Sequence, residues 1–176
     1  VAGSRTLYSV FAAHARQRPD DLWLAFEGEN GQVQQWTFAQ FLTAVHQAAN
    51  FLKSKGIRSG DVVNLHLTNH VAYPQMVLAA SHLGAIVLPS NPAGSADDII
   101  YLLNHSETCL TLTDSTHVEM LRGLAGDSKR MVLSILDYEP ELARQPATLP
   151  VGEGSTDRVV QYLYTSGTTS RPKGVM

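Results

Sequence analysis

Short apolar runs alternate with longer amphipathic stretches through the middle of this 176-residue chain. The apolar runs cover residues 62–67, 85–89, 109–112 and 131–136, and each has the length and composition of a buried strand. The stretches between them carry apolar residues at helical spacing. Strands separated by helices of this length pair in parallel through right-handed crossovers. The alternation therefore predicts an α/β fold, a parallel sheet with helices on its faces.

Capping signals place several of the helix ends. Thr37 with Gln40, and Ser95 with Asp98, have the spacing at which the first side chain caps a free backbone amide. Gly56 follows the helix that begins after Thr37, and we expect it to end that helix in the left-handed conformation. These boundaries agree with the apolar spacing, so the helical assignments rest on two independent signals.

Two segments are predicted to lie outside the parallel sheet. Residues 22–26 and 33–36 flank a polar run that contains an Asn30-Gly31 pair, which favours a small N-terminal antiparallel hairpin. Residues 137–156 hold three prolines and two glycines among charged residues and show no periodicity. We interpret residues 137–156 as a surface connection.

Composition narrows the classes of partner that the chain could bind and the cellular compartment in which it could occur. The net charge is −3 with mixed signs, which gives no basic surface for nucleic acid. The longest apolar stretch, residues 76–88, is interrupted by polar residues and is too short to span a membrane. Cys109 is the single cysteine, so no internal disulfide can form and a reducing, cytoplasmic location is expected.

Seven histidines raise the question of a metal site. His66 and His70 are four residues apart, but His66 alternates within a strand-like run and His70 follows the end of that run, so they need not share a face. No cysteine or carboxylate accompanies them at the spacing of metal ligands. The sequence predicts no metal ligand in this chain.

The C-terminal stretch, residues 164–176, is rich in hydroxyl side chains and glycine and contains Lys173. It follows residues 159–164, a β-branched and aromatic run that reads as a buried strand. Hydroxyl donors, close backbone approach and a cation are what a polyphosphate requires. A strand that leads into a glycine-rich turn is also where parallel sheets bind phosphates. The alternative is a polar loop or disordered tail, which composition alone would favour.

The stretch is not a Walker A loop. Gly167 and Lys173 have the separation of that motif, but Pro172 stands where its second glycine belongs. Gly174 replaces the hydroxyl that would bind magnesium. The order Tyr-Thr-Ser-Gly-Thr-Thr-Ser-Arg-Pro-Lys-Gly instead resembles the signature [YF]-T-S-G-[ST]-T-G-x-P-K-G of the adenylate-forming enzymes.

That family includes acyl-CoA synthetases, aryl-CoA ligases, luciferases and the adenylation domains of peptide synthetases. Ser170 departs from the signature, where the family usually has glycine, and the Ser-Arg-Pro-Lys version is similar to that of crotonobetaine/carnitine-CoA ligases. Thr37-Phe38, Gly60-Asp61 and the run from Gly84 to Pro92 also resemble segments of the family's large N-terminal domain. The resemblance spans the chain and implies that residues 1–176 form an incomplete N-terminal, AMP-binding domain.

The resemblance implies a reaction and a set of binding residues. A carboxylate would attack ATP to give an acyl-adenylate and pyrophosphate, and the thiol of coenzyme A would then accept the acyl group. Residues 164–176 would be the phosphate-binding loop, with Lys173 as the catalytic cation. The nucleotide-binding residues would be Thr165, Ser166, Gly167, Thr168, Thr169, Ser170, Lys173 and Gly174.

The remaining parts of the reaction are expected outside this chain. The family's later motifs, including the ligand of the Mg²⁺ that accompanies ATP, have no match here, so the chain alone is expected to be inactive. Its partners would be ATP, coenzyme A, a small carboxylic acid such as a fatty acid or carnitine, and the rest of its own chain. Two alternatives stay open: an amino-acid or aryl-acid adenylation domain, and a non-catalytic nucleotide-binding module.

Overall fold

The computed structural model describes residues 5–28, 30–125, 130–165 and 173–175. In chain order its elements are α1 (Leu7–Gln17), β1 (Leu22–Glu27), β2 (Val33–Thr37), α2 (Phe38–Ser54), β3 (Val62–His66), α3 (Ala72–Leu83), β4 (Ile86–Pro89), α4 (Ala96–His105), β5 (Thr108–Thr113), α5 (Val118–Ala125), β6 (Met131–Ser134), α6 (Ile135–Ala143), β7 (Leu163–Thr165) and β8 (Lys173–Val175).

The centre of the fold is a parallel sheet in the order β4-β3-β5-β6. Asn64 of β3 lies opposite Leu88 of β4 on one side and Thr111 of β5 on the other. The chain thus adds β4 to one edge of β3, crosses back, and adds β5 and β6 to the other. The predicted α/β class is confirmed, and so is the small N-terminal hairpin, since β1 and β2 pair antiparallel.

Each face of the sheet is covered by its own helices. Val63 and Leu65 of β3 face α1, α2, α3 and α6, in the larger apolar core. Val62 points to the opposite face, in a smaller core with Ile99 of α4 and Leu121 of α5. Adjacent strand residues point to opposite faces, so nearly continuous apolar runs are what a sheet covered on both sides requires.

The predicted caps are present. The Thr37 hydroxyl accepts from the Gln40 amide at 3.3 Å, and the Gln40 side chain accepts from the Thr37 amide at 2.9 Å. Ser95 caps α4 in the same way by accepting from the Asp98 amide. Gly56, just beyond α2, has a φ of 79°, the left-handed conformation in which glycine has no Cβ penalty.

We expect Thr37→Ala to lower the free energy of unfolding by about 1 kcal/mol, because the Gln40 amide loses its partner. Urea titration of the chain measures this difference. Thr43→Ala is the matched control, since Thr43 is an exposed hydroxyl residue in the interior of the same helix. Equal losses in the two variants would show that the cap contributes nothing specific.

The segment predicted as a connection over residues 137–156 is partly a helix. α6 extends to Ala143, Ser134 caps it through the Asp137 amide at 3.0 Å, and Tyr138 is buried. The prediction is therefore wrong for residues 137–143. Pro140 removes only one helical hydrogen bond, and the cap together with the burial of Tyr138 outweighs that loss.

Residues 146–156 contain neither helix nor strand, and they are fastened to the helices beneath them. The Asn50 amide of α2 donates to the carbonyls of Pro146 and Thr148, at 2.9 and 2.8 Å. The His82 ring of α3 lies 2.8 Å from the Pro150 carbonyl. These bonds fix the path of the chain toward β7.

Within the described part of the chain, no helix is long and apolar enough to cross a membrane.

Candidate phosphate-binding site

The C-terminal stretch begins and ends in a two-stranded hairpin. β7 and β8 pair antiparallel, with Thr165 opposite Lys173 and Tyr164 opposite Gly174. The intervening stretch therefore starts and finishes at neighbouring backbone positions. Of the residues predicted to bind phosphate, Ser166, Gly167, Thr168, Thr169 and Ser170 lie outside the described residues, so their contacts with phosphate stay a prediction.

The parallel sheet leads into this hairpin. The Val87 amide of β4 donates to the Val160 carbonyl at 2.9 Å, and the Tyr162 amide donates to the Val87 carbonyl at 3.0 Å. These bonds form a parallel bridge between Val87 and Gln161, at the edge of the sheet beside β4. The chain before β7 is therefore aligned in parallel with the sheet.

The strand predicted over residues 159–164 is shorter and more exposed than expected. Only one bridge joins it to β4, and the regular strand starts at Leu163, whose side chain is 52% exposed. The run is apolar enough to suggest burial, but it lies at an edge of the sheet. The prediction of a buried strand over residues 159–164 is therefore wrong in the length and burial of the strand. The segment does run parallel to β4, as expected for this sheet.

Gly174 packs against the ring of its hairpin partner. A Cβ atom at this position would lie 3.1 Å from the Cζ atom of Tyr164, a tight contact from which the ring would have to shift slightly. Close packing against the Tyr164 ring thus favours a small residue here, independently of any ligand. Its predicted contact with nucleotide remains a prediction.

Tyr164 anchors the hairpin to α4. Its hydroxyl lies 2.7 Å from Nδ1 of His105, the last residue of that helix, and the two rings meet edge to face. Burial raises the pKa of the Tyr164 hydroxyl, so it stays protonated at neutral pH. A cleft of about 250 Å³ lies here, lined in part by Glu107 and Tyr162. Sequence reasoning missed His105, because a contact across 59 residues leaves no local pattern.

A second polar cluster lies at the carboxyl end of β3, on the face toward α4 and α5. The Asn64 side chain donates to the Leu88 carbonyl at 2.8 Å and to the Ser90 hydroxyl at 2.9 Å. Ser90 Oγ is 2.8 Å from Nδ1 of His66. Ser90 Oγ accepts from Asn64 and keeps its hydrogen and a second lone pair, so it can either donate to or accept from the neutral imidazole.

His66 is held in its neutral form. Its side chain is fully buried, its Nε2 atom has no hydrogen-bond partner, and the ring of His117 meets it edge to face at 5.1 Å. Burial lowers the pKa of His66 to about 4, with a further electrostatic contribution from the neighbouring His117. The nearby Asp114 opposes that shift only in part.

Asp114 ties the ends of β3 and β5 together. It accepts from His117 Nδ1, from the Thr116 hydroxyl and from the Thr68 amide. Burial raises its pKa, but the hydrogen bonds from these three donors outweigh burial, and the net pKa is lowered. His70, four residues after His66, instead lies 3.6 Å from Glu139. Among the described residues, no three potential ligands come together at a metal-binding distance.

Solved structures share this architecture. A fatty acyl-CoA synthetase of Mycobacterium tuberculosis superposes with a TM-score of 0.84 at 22% identity, over 97% of this chain and 34% of its own. An acyl-CoA synthetase of Brucella canis gives a TM-score of 0.83 at 22% identity, over 99% and 34% of the two chains. The fold is thus that of the N-terminal portion of acyl-CoA synthetases.

Sequence comparison then identifies the family. The model of the AMP-binding enzyme family matches residues 11–176, so the chain belongs to this family, as the resemblance predicted. The crotonobetaine/carnitine-CoA ligases of Salmonella heidelberg and Salmonella typhimurium are each 32% identical to it over 192 residues. Both alignments include 100% of this chain, which spans 37% of the length of these curated relatives.

Proposed function

We propose that this chain is the N-terminal part of an ATP-dependent acid–thiol ligase and supplies its triphosphate-binding loop. A carboxylate oxygen attacks the α-phosphorus of ATP, the bond to the bridging oxygen breaks, and pyrophosphate leaves. The thiol of coenzyme A then attacks the acyl carbon, and AMP leaves as the thioester forms. The observation that carries the proposal is the signature at residues 164–174, held between paired strands in a chain of this family.

The loop residues divide the work of binding the triphosphate. The hydroxyls of Thr165, Ser166, Thr168 and Thr169 donate to phosphate oxygens, and Gly167 lets the backbone approach them. Lys173 supplies the positive charge. Ser170 and Gly174 complete the backbone of the loop. In this assignment the antiparallel pairing of Thr165 with Lys173 fixes the two ends of the loop relative to each other.

The chemical contribution of this loop is electrostatic. Negative charge accumulates on pyrophosphate as it departs, so donors and a cation already in place stabilise the transition state more than the bound substrate. Mg²⁺ bound with ATP would add neutralising charge, and its protein ligand is expected in the remainder of the enzyme. Proton transfer is not required of Lys173, whose role is that of a fixed charge.

A panel of carboxylic acids tests the substrate and the acceptor together. The complete protein that carries this chain is incubated with ATP, Mg²⁺, one acid and coenzyme A, and acyl-CoA is measured by mass spectrometry. We expect thioester formation with aliphatic or carnitine-like acids. Adenylate formation from amino acids or aryl acids without coenzyme A thioester would instead identify an adenylation domain that serves another thiol.

The proposed setting is the cytoplasm, where ATP and coenzyme A are available, with no nucleic-acid partner.

A non-catalytic nucleotide-binding module makes a different prediction, namely that the 176-residue chain binds ATP stably by itself. Isothermal titration of the chain with ATP and Mg²⁺ separates the two, because half of a triphosphate site should give no measurable saturation.

A further inference from the structure

An apolar groove of about 540 Å³ lies between α1, β1 and α3. Its floor is formed by Phe11 and Phe38, both almost completely buried. α1 and α3 belong to the larger core, whereas Tyr164 of the terminal hairpin packs against the smaller core on the other face of the sheet. The groove is therefore separate from the candidate phosphate-binding site.

Within the described part of the chain, the groove exposes apolar surface. Trp23 packs on the floor, with its ring centroid 4.9 Å from that of Phe11 and 5.1 Å from that of Phe38, yet it is 40% exposed. On the α1 side, Leu7 is 52% exposed and Val10 is 41% exposed. An apolar ligand that covered these side chains would gain the free energy of removing them from water.

Basic side chains lie along the groove. Arg5, His14 and Arg18 line it, and among the described lining residues none is acidic. The guanidinium of Arg18 sits 4.6 Å above the centre of the Phe38 ring, which places a cation directly over the apolar floor. The combination suits a molecule with an apolar chain and an anionic end.

We propose that this groove binds a monomeric single-chain amphiphile with an anionic head, such as a medium-chain fatty carboxylate. The chain lies on Phe11, Trp23 and Phe38, and the carboxylate pairs with Arg18 and Arg5. The concave shape favours a single molecule over a membrane surface, because a flat bilayer cannot reach Phe11 and Phe38 at the floor. The site is independent of the proposed ligase reaction.

Trp23 reports directly on occupancy. The chain has two tryptophans, so Trp36→Phe leaves Trp23 as the single indole fluorophore. Decanoate, added below its micellar concentration, is expected to change the fluorescence along a saturable one-to-one curve. Decanol has the same chain without the charge and is expected to bind about fivefold more weakly, the upper range for an exposed ion pair.

Further variants, made in the Trp36→Phe protein, separate the contribution of charge to binding from that of the shape of the groove. Arg18→Gln is expected to weaken decanoate binding about fivefold and to leave decanol binding unchanged. Val10→Asp places a carboxylate on the exposed wall and is expected to abolish binding without unfolding the chain. Arg58→Gln, an exposed arginine after α2, is the matched control and should leave the affinity unchanged.

Three results would overturn the proposal. They are fluorescence that does not saturate with decanoate, equal affinities for decanoate and decanol, and binding to anionic phospholipid vesicles in the absence of decanoate binding. In the complete protein, Val10→Asp should leave carboxylate-dependent ATP–pyrophosphate exchange unchanged. If the protein without the Val10 substitution shows exchange but does not bind decanoate, only the groove proposal is contradicted. If it binds decanoate but shows no exchange, only the ligase proposal is contradicted.

Discussion

Lys173→Ala is expected to slow carboxylate-dependent ATP–pyrophosphate exchange about 100- to 1000-fold in the complete protein, the loss typical when one preorganised charge or donor is removed from a transition state. The pyrophosphate leaving group gains negative charge as it departs, and alanine offers nothing to offset it. Most of the loss should appear in kcat, because the charge develops after ATP is bound.

The control for this variant is another lysine. Lys53→Ala removes an exposed ammonium group from α2, where it donates to the Val151 carbonyl at 3.1 Å, on the far face of the sheet. Its exchange rate should stay within twofold of that of the parent protein. Lys173→Arg keeps the charge but changes its shape, so we expect partial activity. Full exchange activity in Lys173→Ala would contradict the role assigned to this residue.

Acidification is expected to destabilise the chain through His66. The unfolded chain takes up a proton at this histidine near pH 6.5, whereas the folded chain resists protonation until about pH 4. Between these values the unfolded state binds more protons, so stability falls as the pH falls. The effect of His66 is absent above about pH 6.5 and reaches about 3 kcal/mol near pH 4.

His66→Gln isolates this contribution, because glutamine does not titrate and can still form a hydrogen bond with Ser90. Urea unfolding at a series of pH values should show that the free energy of unfolding falls more steeply with decreasing pH in the parent chain than in His66→Gln. The difference in slope should reach up to about 1.4 kcal/mol per pH unit. His14→Gln makes the same replacement at an exposed histidine of α1 and is the matched control. Parallel curves for the parent chain and His66→Gln would show that His66 is not the source.

The core of the fold was predictable because its signals are local. Apolar runs at β3 to β6 gave the parallel sheet, and the Thr37 and Ser95 caps gave the starts of two helices. α6 was missed because Pro140 and an irregular pattern argue against a helix. What stabilises α6 is tertiary: Tyr138 is buried, and its hydroxyl donates to the Gln75 side chain at 3.1 Å.

The chemistry was predictable only where residues adjacent in sequence carry it. The signature at residues 164–174 is contiguous, so its resemblance to the family could be read directly. The contact of Tyr164 with His105 and that of His66 with Ser90 join residues 59 and 24 positions apart. Such pairs are set by which strands and helices become neighbours, and neither residue carries a local sign of its partner.

The most direct test of the central claim is acid-dependent exchange of labelled pyrophosphate into ATP by the complete protein. We predict that exchange requires a carboxylic acid, is absent when the acid is omitted, and is lost in Lys173→Ala. This result would show that the loop that follows β7 takes part in forming an acyl-adenylate. ATP binding or hydrolysis with no exchange for any acid would contradict the account.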